Sequence, residues 1–224
     1  MPQNIKAMSL FANVGIAETY LSDCGIDIVV ANEIDPARSK FYQHLYPETV
    51  MVEGDIKEPG VQAQLLDYAR QEPIDLIMAT PPCQGMSTAG KKDQNDERNF
   101  LITYAVKMVQ DLKPKYVFLE NVPEQLRTSI PYQGTKVLIP DYVQQELGKD
   151  YNFNDQFVMD AEDYSVPQTR ERAIMLLTRK DLSYVWQMPA PKPQINLRKA
   201  LYHLPSVDPM LREGMDETLR LFPD

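Results

Sequence analysis

Two prolines stand directly before a thiol in Pro81-Pro82-Cys83-Gln84. They remove two backbone donors and stiffen the chain, so the segment reads as a loop that presents Cys83 rather than as further strand. A presented thiol can act as a nucleophile, whereas a packed one is merely a small hydrophobe. Cys24, with Asp23 as its only polar neighbour, carries the second reading. Glu120 ends an apolar run in Glu120-Asn121-Val122-Pro123, a position that suits a general acid and equally a salt-bridged or capping glutamate. Gln168-Thr169-Arg170-Glu171-Arg172, if extended, turns Gln168, Arg170 and Arg172 to one face. Two arginines and an amide on one face suit a phosphate or an extruded base, or else a solvated face paired with acids.

A second group of residues could hold a nucleoside. Phe11-Ala12-Asn13-Val14-Gly15 reads as a strand-to-helix turn whose amides, at Asn13 and Gly15, can approach a ligand. Glu33 ends the next apolar run, where a carboxylate can accept hydrogen bonds from ribose hydroxyls, although an ordinary exposed strand end looks the same. Asp55, after Gly54, is a third strand-end acid, or a turn or cap before Pro59.

These residues need a scaffold that brings them together across more than a hundred positions. Apolar runs at Ile5 to Ala12, Asp27 to Asn32, Thr49 to Val52, Ile74 to Thr80 and Tyr116 to Leu119 alternate with stretches of helical spacing. That alternation predicts a parallel sheet covered by helices, with ligand residues at the carboxyl ends of the strands. A helix is expected between Gly15 and a cap at Gly25, and another where Asp35 and Pro36 supply N-cap and first turn. Beyond Asn152, segments around Phe157-Val158 and from Arg172 to Thr178 predict an antiparallel pair at a sheet edge, joined by a loop carrying Pro167 and Gln168. Residues 186–224 form a proline-rich tail with a short amphipathic stretch, Leu197 to Leu204.

The 224 residues allow one domain with an appendage. Their net charge of −9 opposes broad phosphate binding, so contact with nucleic acid must be local or shared with a partner. Two cysteines make no disulfide framework and match no metal-ligand spacing; no metal is expected. No signal segment or membrane span is visible, and a cytoplasmic location is expected.

Taken in order, Pro82-Cys83-Gln84, Glu120-Asn121-Val122 and Gln168-Thr169-Arg170-Glu171-Arg172 resemble the C5-cytosine DNA methyltransferases. The resemblance spans about residues 6 to 180 and implies a Rossmann-like methyltransferase fold using S-adenosylmethionine. It implies that Phe11, Asn13, Gly15, Glu33, Ile34, Asp55, Ile56, Pro82 and Leu101 bind the cofactor, with Glu33 at the ribose. It gives Cys83, Glu120, Arg170 and Arg172 catalytic roles, and Gln84, Ser87 and Gln168 roles at the double-stranded DNA. An RNA cytosine methyltransferase of the same architecture, or a catalytically silent cofactor-binding subunit, are the alternatives.

Three departures qualify that likeness. The family's DLFAGxGG loop is here Ser9-Leu10-Phe11-Ala12-Asn13-Val14-Gly15-Ile16, without the aspartate and two glycines. No target recognition domain or later motif is visible, and with the first motif only a few residues in, none is expected ahead of it. The expectation is a catalytic domain at residues 1–185, with the tail at 186–224 leading toward recognition functions carried by a second subunit or lost from a fragment.

Overall fold

The computed structural model describes residues 4–82 and 97–202. They belong to two compact units, Met1–Asp160 with Glu171–Ala190, and Ala161–Arg170 with Pro191–Asp224. The first unit holds the sheet. Its strands β1 (Ile5–Leu10), β2 (Ile26–Glu33), β3 (Val50–Glu53), β4 (Leu76–Ala79) and β5 (Tyr116–Asn121) are the five apolar runs of the sequence, paired in parallel. Between them lie helices α1 (Pro36–Leu45), α2 (Pro59–Gln71) and α3 (Leu101–Leu112). A separate hairpin, β6 (Ser129–Tyr132) and β7 (Thr135–Leu138), precedes α4 (Ile139–Leu147). Then come β8 (Tyr151–Phe153), β9 (Val158–Asp160) and β10 (Glu171–Arg179); α5 (Leu197–Leu201) lies in the second unit.

The strand order is β3-β2-β1-β4-β5-β10-β8, with β9 also on β10. From β1 the chain winds outward to β3 and then returns to β4 on the other side. The order reverses between β1 and β4, and a crevice forms outside the carboxyl ends of the strands there. Because strand side chains alternate, β2 sends Val30 into the core with α2, α3 and α4, and Ala31 toward Tyr42 of α1 on the opposite face. Helices thus cover both faces, which is why the strands read as continuous apolar runs.

α1 begins as expected, with the Asp35 carboxylate accepting from the Ala37 and Arg38 amides and Pro36 in the first turn. The helix expected before Gly25 does not form. Residues 13–21 run as turns into one 3-10 turn, Ser22–Cys24, which Gly25 caps in the left-handed region. Ile16 and Tyr20 point to solvent, while Glu18 is drawn inward to Ser9, so no apolar stripe offsets helix nucleation. β10 is antiparallel as expected but interior, flanked by β5 on one side and by β8 and β9 on the other. The start of the proline-rich tail is packed. The Trp186 amide donates to Thr178 Oγ1 at 2.8 Å, and its ring meets Tyr116 edge-on.

Candidate active site

A cleft opens at the carboxyl ends of the first four strands. Phe11, Asn13, Glu33, Ile34, Asp55, Ile56, Pro82 and Leu101 are all among its walls. Glu33 organises it. This carboxylate is 5% exposed, and it accepts from the Asn13 amide at 2.8 Å and from the Asp35 amide at 3.0 Å. It thereby ties the turn after β1 to the turn after β2. Phe11 and Asn13 hold positive φ of 62° and 52°. Asparagine accepts this conformation more readily than most residues, so Asn13 can replace a glycine in the turn, whereas Phe11 is strained. Gly15 is not a cleft wall. It has φ +80°, its carbonyl accepts from the Tyr46 hydroxyl at 2.6 Å, and a Cβ there would come within 2.2 Å of the Tyr46 ring.

Residues not singled out from the sequence complete the cleft. Asn32, 2% exposed, donates through Nδ2 to the carbonyls of Val52 (2.8 Å) and Gly54 (3.1 Å), fixing the exit of β3 beside β2. The signal was available, since a buried asparagine at the end of an apolar run requires partners. Asp55, just beyond, accepts from the Lys57 amide and pairs with its ammonium at 3.3 Å. Arg38 and Thr80 also line the cleft. Apolar walls with a buried carboxylate at a strand end suit a nucleoside, so the residues present fit S-adenosylmethionine.

Behind the turn, Glu18 is 4% exposed and accepts from Ser9 Oγ at 2.6 Å. Burial pushes its carboxyl above the usual range, outweighing that hydrogen bond. Ser9 occupies the position where the resemblance calls for aspartate, and a second unscreened carboxylate beside Glu18 would cost more still.

One strand over, β5 divides its last two residues between the faces. Glu120 is paired with Arg172, Nε to Oε1 at 2.9 Å, both side chains about a quarter exposed. The register explains it: Glu120 lies opposite Ile174 of β10, and Arg172 is the next residue along on that face. Asn121 turns inward, 2% exposed; its Nδ2 donates to the Pro81 carbonyl at 2.9 Å and its Oδ1 accepts from the Val122 amide at 2.8 Å. Glu120 and Arg172 are thus brought together beside the exit of β4. Cys83, Gln84 and Ser87 lie outside the described residues. Gln168 and Arg170 belong to the second unit, where the Arg170 carbonyl accepts from Ala161 and Gln168 lines an open groove with Glu162, Gln194 and Asn196.

The family model for C-5 cytosine-specific DNA methylase matches residues 5–219. The chain belongs to that family. Among similar DNA methylases, the Type II methyltransferase M1.HgaI of Avibacterium volantium is 38% identical over 220 residues, covering 96% of this chain and 61% of that protein. M.HhaI of Haemophilus parahaemolyticus is 32% identical over 190 residues, covering 84% of this chain and 53% of its own. The chain therefore spans between half and two thirds of these two relatives. A prophage-encoded protein of E. coli, 26% identical, superposes with a TM-score of 0.71 over 91% of this chain and 56% of its own. Among the described residues of this family member, no helix is long and apolar enough to cross a membrane.

Proposed function

We propose that the chain methylates C5 of cytosine in double-stranded DNA, with Cys83 as covalent nucleophile. One observation carries this reading: Pro82, the residue before Cys83, is a wall of the cleft, and Pro81 is hydrogen-bonded to the strand end that holds Glu120. When bound, S-adenosylmethionine supplies an electrophilic methyl group. The Glu33 carboxylate, with about four lone-pair sites and two occupied by amides, keeps two for ribose hydroxyls. Ile34, Ile56 and Leu101 offer apolar walls for a base.

Cytosine C5 is a poor nucleophile until the ring is made enamine-like. The Cys83 thiolate adds to C6, opening the C5–C6 double bond and placing electron density on C5. Glu120 holds the N3 and exocyclic amine edge of the ring, and Arg172 fixes the orientation of Glu120. After methylation the C5 proton passes to water and the Cys83–C6 bond breaks, restoring the double bond and the thiolate. The target base must leave the duplex for a thiol to reach C6. Gln84, Ser87, Gln168 and Arg170 are assigned to the DNA. Because a net charge of −9 opposes phosphate binding, DNA affinity and sequence choice are assigned to a basic partner, a second subunit in the simplest arrangement. The Type II names of the relatives support a restriction-modification setting.

A duplex with 5-fluorocytosine at the target tests the chemistry, since fluorine cannot leave as the proton does. With the cofactor and the DNA-binding partner present, a covalent complex should form, vanish in Cys83→Ser and persist in Cys24→Ser, whose thiol is exposed and remote in sequence. Methylation by Cys83→Ser at the unaltered rate would overturn the proposal.

A further inference from the structure

We infer that Asn121 is a positioning residue for the nucleophile, its side-chain amide relaying the strand ladder between β4 and β5 to the segment that carries Cys83. The inference rests on the covalent reading above. The parallel pairing of the two strands is backbone to backbone up to Ala79 opposite Leu119, which places Pro81 opposite Asn121 in the same register. There the ladder cannot continue normally, because Pro81 and Pro82 have no N–H to give. The carbonyl of Pro81 still needs a donor. Val122 N–H, a backbone donor at this strand end, is instead turned onto Asn121 Oδ1, and Asn121 Nδ2 donates to Pro81. One carboxamide, 2% exposed, thus accepts on one side and donates on the other. It joins the end of β5 to the end of β4 through a side chain, two residues before Cys83 and one after Glu120.

A carboxamide puts its donor and its acceptor on separate atoms, so it spans the two partners, which the single shorter hydroxyl of serine or threonine does not. Aspartate has the same shape and still accepts from Val122, but as a carboxylate it sets a second oxygen against the Pro81 carbonyl. When protonated, it donates through O–H and restores the relay. Asn121→Asp should therefore behave as a pH-dependent version of the native residue, which a packing role alone would not produce.

The readout is exchange of the cytosine C5 proton, measured as tritium release from duplex DNA by the full chain together with its DNA-binding partner and without cofactor, as a ratio to the unsubstituted protein at each pH. Asn121→Asp should be about tenfold slower at pH 8.5, in line with one buried hydrogen bond, and should recover at least threefold toward pH 6. Affinity for S-adenosylmethionine should stay within twofold. Asn121→Ala, which introduces no charge and serves if the aspartate variant does not fold, should be slowed about as much at every pH. A flat ratio for Asn121→Asp, or cofactor affinity falling in step with exchange in either variant, overturns the positioning role alone. Exchange retained by Cys83→Ser overturns the covalent chemistry, and this inference with it.

Discussion

Glu33→Gln isolates the most connected group in the cleft. Glutamine keeps the volume but has one acceptor oxygen where the carboxylate has two. At 5% exposure, and with backbone N–H donors 2.8 and 3.0 Å from its two oxygens, one donor must then face the new NH2 group. Hydrogen bonds to a charged group contribute about 1.5–3 kcal/mol and neutral ones about 0.5–1.5 kcal/mol. Losing one charged bond and neutralising the other therefore costs about 2–4 kcal/mol. The Arg38 guanidinium, 3.9 Å away and half exposed, adds little to that figure. Part of the cost falls on the fold, because the turns after β1 and β2 are no longer tied. The rest falls on binding, because the remaining acceptor sites for ribose hydroxyls are halved. If the cost divides about evenly, the melting temperature should drop by roughly 2–8 °C and calorimetric affinity for S-adenosylmethionine by about tenfold. A variant that binds the cofactor within threefold of the native affinity would refute the assignment of Glu33 to the ribose.

Glu120→Gln should reduce methyl transfer by about 10²- to 10⁴-fold, the usual contribution of a positioned acid, while cofactor affinity is preserved; lost affinity with intact turnover at saturation would refute its assignment to the target base and place it at the cofactor. Glu18 gives a pH signature. Its folded carboxyl is raised above the ordinary value of 4.5 by burial, so between that value and its raised one the native state binds more protons than the unfolded chain. The stability it contributes is present at low pH and is lost as pH rises through this window. Glu18→Gln removes the ionisation, so its melting temperature relative to the native protein should climb as pH is raised from about 4.5 toward neutrality; a constant offset in thermal scans would contradict the burial argument.

The scaffold was legible because β1 and β4, at its centre, are buried on both faces along most of their length and read as apolar runs, while Glu33, Asp55 and Glu120 mark where the strands end. The turn-rich segment after Gly15 was not legible, since its spacing permits a helix. Only the tertiary pull of Ser9 on Glu18, with Ile16 and Tyr20 left in solvent, decides against one. The hairpin β6–β7 escaped notice for a different reason. Its turn at Gln133-Gly134 uses two positive φ angles, 48° and 80°, and glutamine is a weaker marker of that turn than asparagine or aspartate. The interior place of β10 depends on which strand edge is free once β5 has formed, and no local pattern encodes that.

Two asparagines show how the site is held by residues with no chemistry of their own. Asn32 and Asn121 each lie at the carboxyl end of an apolar strand, each is 2% exposed, and each donates through Nδ2 across to the exit of the neighbouring strand. The first fixes β3, hence Asp55, beside Glu33. The second fixes the exit of β4 at Pro81 beside Glu120. Aspartate at either place would bury a charge against carbonyl oxygens, and leucine would leave those carbonyls without a side-chain donor. A neutral amide offers two donors and an acceptor within one compact group, so it can extend a ladder past the point where backbone pairing stops. The strands can then diverge to open a cleft while their ends stay in register. The strand-end carboxylates of Glu33 and Asp55 thus stand on the cleft wall, while the carboxamides of Asn32 and Asn121 bridge neighbouring strands.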